Sequence, residues 1–169
     1  LAFLIEAEGR RVLYTGDLRA HGRKPGMLRT LRAHVARAPL DLLITEGTLL
    51  GSDRSAGRSE QDLADLAAEE MRSAPGLVLT SFSAQHIDRF VTFYKAAGRA
   101  GRVFVADNYL EFILHVLRRD MSTLPSIGSG DGDLRLLTFP GQKVVGRGAR
   151  QRLDAYAAAG ASVTAERLR

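Results

Sequence analysis

Leu13-Tyr-Thr-Gly-Asp-Leu-Arg-Ala-His-Gly-Arg-Lys24 and Asp41-Leu-Leu-Ile-Thr-Glu-Gly-Thr-Leu-Leu-Gly51 share one design, a short apolar run that stops at an acidic residue beside a glycine. Each run is strand-sized, and each ends where an open α/β sheet exposes the carboxyl ends of its strands, the usual place for a ligand. Between them, Pro25-Gly26 opens a helical stretch with Leu28, Leu31 and Val35 on one face, and Pro39 closes it. Upstream, Ala2-Phe-Leu-Ile5 and Arg11-Val-Leu-Tyr14 are β-prone runs joined by a Gly-containing connection, which predicts a hairpin. Asp41–Thr45 lacks polar alternation, so it is expected to be a strand buried on both faces.

Downstream, Asp53–Arg58 is a polar Gly/Ser/Arg break, and the pattern beyond it changes. Ser59 and Asp62 have capping-box spacing, leading a helix with Leu63, Leu66 and Ala67 on one face that ends near Pro75-Gly76. Leu77–Thr80 is expected to be a strand. Ile87, Phe90, Val91 and Tyr94 then mark an amphipathic helix, Val103–Ala106 a strand, and Leu110, Ile113, Leu114 and Leu117 another helix. A Ser/Gly/Asp-rich loop over 122–133, a strand at Leu134–Leu137 and a helix at Ala149–Ala159 complete the series. Strands alternating with helices predict parallel βαβ crossovers. The expected organisation is α/β, with one domain over residues 1–57 and a parallel-sheet domain over 58–169.

Composition sets outer limits. A chain of 169 residues, 45% hydrophobic and 25% charged, has the make-up of a globular protein with a real core. Its longest apolar runs are far short of a membrane span, so no membrane association is expected. With no cysteine, thiolate metal sites and disulfides are excluded, which fits a reducing cytoplasm, and any metal must be held by His and carboxylates. The net charge of +5 rests mostly on Arg, crowded into the first forty residues. Guanidinium groups suit a polyanion such as RNA, although Arg/Ala/Gly-rich usage in GC-rich coding sequence explains the same excess.

Asp17, Glu46 and Asp107 each follow an apolar run directly. By default a strand-end carboxylate caps the next helix or turn. The surroundings lift Asp17 and Glu46 above that default. The Gly16-Asp17 stretch resembles the fourth metal-binding motif of metallo-β-lactamase-fold hydrolases, and Glu46-Gly-Thr48 resembles motif A of their β-CASP branch, to which ribonuclease J belongs. Thr80-Ser-Phe-Ser-Ala-Gln-His-Ile-Asp-Arg-Phe90 and the following Gly98–Asp107 stretch are similar to the opening of the β-CASP insertion domain. The resemblance implies a partial αββα sandwich followed by that insertion domain, in a zinc-dependent nuclease that cleaves RNA, with DNA as the alternative substrate, by metal-activated water. It assigns Asp17 as the carboxylate bridging two zinc ions and Glu46 as the catalytic-site acid that orients a histidine near the metals. It places Ser83, Gln85 and Arg89 near the nucleic-acid path.

The chain also departs from the pattern. It has no His-x-His-x-Asp-His cluster and no histidines matching motifs B and C, so the resemblance implies that the remaining parts of the enzyme lie outside these residues and that the chain alone is inactive. His86 is expected to be a helix-start residue, His21 a turn residue or an approach to metal or phosphate, and His34 and His115 ordinary helix positions. Two further classes stay open: a Mg-dependent Rossmann-like phosphotransfer or phosphatase domain on Asp17, Glu46 and Asp107, and a non-catalytic nucleic-acid-binding module. The oligomeric state is open as well.

Overall fold

The computed structural model describes residues 2–17, 22–24, 26–47, 58–129, 133–144 and 146–168. His21 and Thr48 are not among them, so the expectations for these two fall outside the described residues. The fold is mixed α/β, with five α-helices and two three-stranded sheets among the described residues, one sheet entirely parallel. The chain divides into two compact units, Leu1–Gln61 and Asp62–Arg169. No helix among the described residues is long and apolar enough to cross a membrane.

In the first unit, β1 (Phe3–Ala7) and β2 (Arg10–Tyr14) pair antiparallel with Ala7 opposite Arg10, leaving Glu8-Gly9 as a two-residue turn. Both turn residues have positive φ, 50° and 72°, the signature of the type I′ turn whose twist matches a hairpin. Helix α1 (Gly26–Val35) then leads to β3 (Leu42–Ile44), which pairs parallel with β2. The register is locked at the amino end of this pair. Asp41 accepts from the Arg11 amide N (2.8 Å) and from Arg10 Nη1 (2.7 Å), while its own amide donates to the Arg11 carbonyl oxygen (2.9 Å). The Arg10 guanidinium, then the Arg11 N–H, hold the Asp41 carboxyl below its usual range.

Pairing puts Leu4, Leu13 and Leu43 on one face of this sheet and Phe3, Ile5, Val12, Tyr14, Leu42 and Ile44 on the other. Leu13 is buried, but Leu42, Leu43 and Ile44 are 45–54% exposed. The expected two-faced burial of β3 is therefore not met. Its composition is that of a covered strand, and no described element covers it.

The second unit is built on β4 (Phe104–Ala106), β5 (Leu134–Thr138) and β6 (Ser162–Thr164), parallel and adjacent in that order. Helices α4 (Asn108–Leu117) and α5 (Ala149–Ala158) make the crossovers, and a 3-10 turn, Ala165–Leu168, follows β6. Helices α2 (Glu60–Ser73) and α3 (Ile87–Arg99) precede the sheet. Phe90, Leu134 and Leu136 are the largest apolar side chains sealed in the core. Phe90 meets Phe104 edge to face at 5.6 Å, an arrangement worth about 0.5–1.5 kcal/mol beyond the area it buries.

Three details differ from the sequence expectation. Helix α2 buries Ala64, Ala68 and Met71 and half-buries Leu63 and Ala67, while Leu66 of the expected apolar face is exposed. Leu77–Thr80 is not a strand; it lines one cleft together with Phe104 and Val105 of β4, and Arg102 holds its start by donating to the Gly76 (2.7 Å) and Ala74 carbonyl oxygens. Strand β6 was not predicted. It has only three residues, too few to show a period.

Candidate functional site

Beyond Tyr14 and Ile44, which pair, the two chains leave the first sheet side by side. The Thr15 amide donates to the Ile44 carbonyl oxygen (3.0 Å), and the Thr15 hydroxyl donates to Thr45 Oγ1 (3.0 Å). Asp17 and Glu46 come two and one residues later, so both carboxylates leave from neighbouring strand ends of one sheet, and both are exposed. Gly16, at φ 54°, turns the chain between Thr15 and Asp17; the left-handed region is open to glycine at no steric cost.

Asp17 lines a cleft of about 560 Å³ between the sheet and α1, together with Leu4, Thr15, Leu28, Leu31 and His34. Glu46 is not part of its lining. His34 Nδ1 lies 3.1 Å from the Thr30 carbonyl oxygen; that nitrogen therefore donates, and the neutral ring carries its lone pair on Nε2. The cleft thus brings one carboxylate and one imidazole to an apolar wall. The sequence pattern makes His34 an ordinary helix residue; its position one residue before the end of α1 carries no signal of this neighbourhood. Among the described residues, no three His, Asp or Glu side chains converge as a metal-binding group. A pair of zinc ions takes about four ligands each, so the residues described here do not complete such a centre.

The remaining candidates sit in the second unit. His86 is the N-cap of α3: its Nδ1 accepts from the Arg89 amide at 3.0 Å, and its own amide donates to the Ser83 carbonyl oxygen at 2.8 Å. The expected helix-start role holds. The same two bonds set Ser83 and Gln85 in the turn that enters α3 and Arg89 in the first turn of the helix. Gln85 Nε2 donates to the Tyr109 hydroxyl (3.2 Å), joining this turn to the first turn of α4. Asp107 caps α4, accepting from the Leu110 amide at 2.7 Å, the default role of a strand-end aspartate.

One buried cluster escaped the sequence. Glu111, with its side chain 1% exposed, receives two bonds from Arg152, Nε to Oε1 (2.8 Å) and Nη2 to Oε2 (3.1 Å), and a third from the Tyr156 hydroxyl (3.3 Å). Burial, then the neighbouring Glu111 charge, raises the Tyr156 phenol. An acidic residue inside the apolar stretch Asn108–Leu117 was the available signal; its partner, forty-one residues later, was not inferable.

No protein-family model matches the chain, and no significant similarity to a curated protein or to a solved structure is found.

Proposed function

We propose that the chain is part of a zinc-dependent hydrolase of the metallo-β-lactamase fold, β-CASP branch, acting on RNA phosphodiesters. In this reading the first unit belongs to the metallo-β-lactamase domain and the second to the insertion domain that clamps the nucleic acid. Asp17 contributes one bridging carboxylate, Glu46 orients a histidine supplied from elsewhere, and Ser83, Gln85 and Arg89 lie along the substrate path. The observation that carries the reading is the parallel pairing of β2 with β3, which sends Asp17 and Glu46 out from adjacent carboxyl ends. The apolar outer face of that sheet supports it too, since a sandwich would cover such a face with a second sheet. The residues present do not complete a zinc centre, so no catalytic step is assigned to this chain alone.

The test is the coding sequence immediately before Leu1. A His-x-His-x-Asp-His run is expected there, and an intact reading frame without one overturns the proposal. If the run is present, the polypeptide including it is expected to hold two zinc ions by elemental analysis. Asp17→Asn is then expected to lower zinc content and RNA cleavage together; a variant with native zinc content and activity removes Asp17 from the site.

A further inference from the structure

Two side-chain tethers reach the first turn of α4 at the carboxyl rim of the second sheet, one through Tyr109 and one through Asn108. Gln85 Nε2 donates to the Tyr109 hydroxyl at 3.2 Å. The next-door Asn108 Nδ2 donates to the Lys143 carbonyl oxygen, drawing the loop after β5 to the first turn of α4. That loop is itself braced by buried Gln142, whose Nε2 donates to the Leu137 carbonyl oxygen (3.2 Å) while its Oε1 accepts from the Phe139 amide (3.4 Å). The turn before α3, the start of α4 and the loop after β5 therefore form one braced rim, at the strand ends where parallel sheets bind ligands.

Tyr109 is 38% exposed in this rim and packs against no other aromatic ring among the described residues. Its hydroxyl accepts the Gln85 bond, which restrains the ring, and more than a third of the residue stays in water. From Lys143 to Arg152 the sequence carries four basic residues and no acidic one. Arg152 is committed to Glu111 and Arg150 donates to the Gln142 carbonyl oxygen (3.1 Å), while Lys143 is exposed at the rim. The nearby Asp107 carboxylate accepts from the Leu110 amide of α4. A tethered, part-exposed aromatic ring beside a basic loop is the combination that holds single-stranded nucleic acid, stacking a base while the cation meets the backbone.

We propose that Tyr109 is a stacking platform for a base of single-stranded RNA, with Lys143 engaging the adjoining phosphate. The choice of RNA rests on the function proposed above; the geometry of the rim does not. The experiment is fluorescence anisotropy of the full chain with a labelled single-stranded RNA of about 12 nucleotides, across a salt series. Tyr109→Ala is expected to weaken binding about 5- to 150-fold, and Tyr109→Phe, which keeps the ring, to stay within about threefold of native. An abasic oligonucleotide of the same length is expected to bind native protein and Tyr109→Ala equally. Lys143→Ala is expected to lower the salt slope by about one. Circular dichroism of each variant separates lost binding from lost folding.

Native-like binding by a folded Tyr109→Ala overturns the proposal, as does a Tyr109→Phe loss equal to that of alanine. Equal loss on the abasic strand, no RNA binding by the native chain, or equal competition by an acidic peptide of matched charge also overturns it. The nuclease reading stands or falls separately, on the His-rich run before Leu1 and on zinc content.

Discussion

Replacing Arg152 with leucine should be among the most damaging single changes in the second unit. The substitution removes both guanidinium bonds from Glu111 and leaves a carboxylate that is 1% exposed with the Tyr156 hydroxyl as its remaining donor in this cluster. Removing one member of a buried pair costs about 3–5 kcal/mol, because the survivor stays desolvated without compensation. In a unit of roughly a hundred residues each kcal/mol moves the midpoint by about 4–8 °C, so a fall of at least ~12 °C is expected. Replacing both partners, Glu111→Leu with Arg152→Met, removes the charge along with its counter-charge and is expected to lie within about 1–2 kcal/mol of native. Two compact units make bulk unfolding a poor two-state measure, so the assay is amide hydrogen exchange resolved over α4 and α5, supported by urea unfolding. A single variant costing under about 1 kcal/mol, or a double variant as damaged as the single, would refute the assignment of the pair as a coupled, buried clamp.

Three further outcomes follow from local geometry. Asp107→Ala removes the bond to the Leu110 amide and is expected to cost about 1 kcal/mol, seen as faster exchange in the first turn of α4. Gly128→Ala would set a Cβ 2.8 Å from the Ala161 Cβ at φ +73°; both the clash and the backbone strain disfavour it, and a loss of about 1–3 kcal/mol in urea unfolding is expected. Tyr156, whose phenol is raised by burial and by Glu111, favours folding while it stays neutral. Its contribution is complete below the unfolded-state phenol value and is lost as pH rises through the higher folded value; phenolate absorbance should show one late-titrating tyrosine, absent in Tyr156→Phe.

The parts of this architecture that could be read from sequence are those set by local pattern. The β1–β2 hairpin, α1, α3, α4 and the β4–β5 crossover all follow from alternation, stripes and turn residues within a dozen positions. What could not be read depends on distant partners or on packing distance. Apolar character in β3 reports that the strand is suited to burial, not what would bury it. In α2 the leucines point to one face, and the buried side is centred on Ala64, Ala68 and Met71 instead, leaving Leu66 in water. At the candidate site, the order of Gly16-Asp17 and Glu46-Gly47 was enough to anticipate neighbouring strand ends. The Thr15–Thr45 hydroxyl bond, the Asp17–His34 cleft and the Gln85–Tyr109 tether each join residues that sequence keeps 17 or more positions apart.

The open face of the first sheet also has a thermodynamic meaning. Phe3, Ile5, Tyr14, Leu42 and Ile44 all keep a large share of their surface in water, so folding of this unit is a linked equilibrium. Any body that covers the face in the folded state alone stabilises it by RT ln(1 + [L]/Kd), about 2.7 kcal/mol at a hundredfold excess over Kd. The midpoint of the first unit then works as a titration curve for its own cover, rising with the cover's concentration.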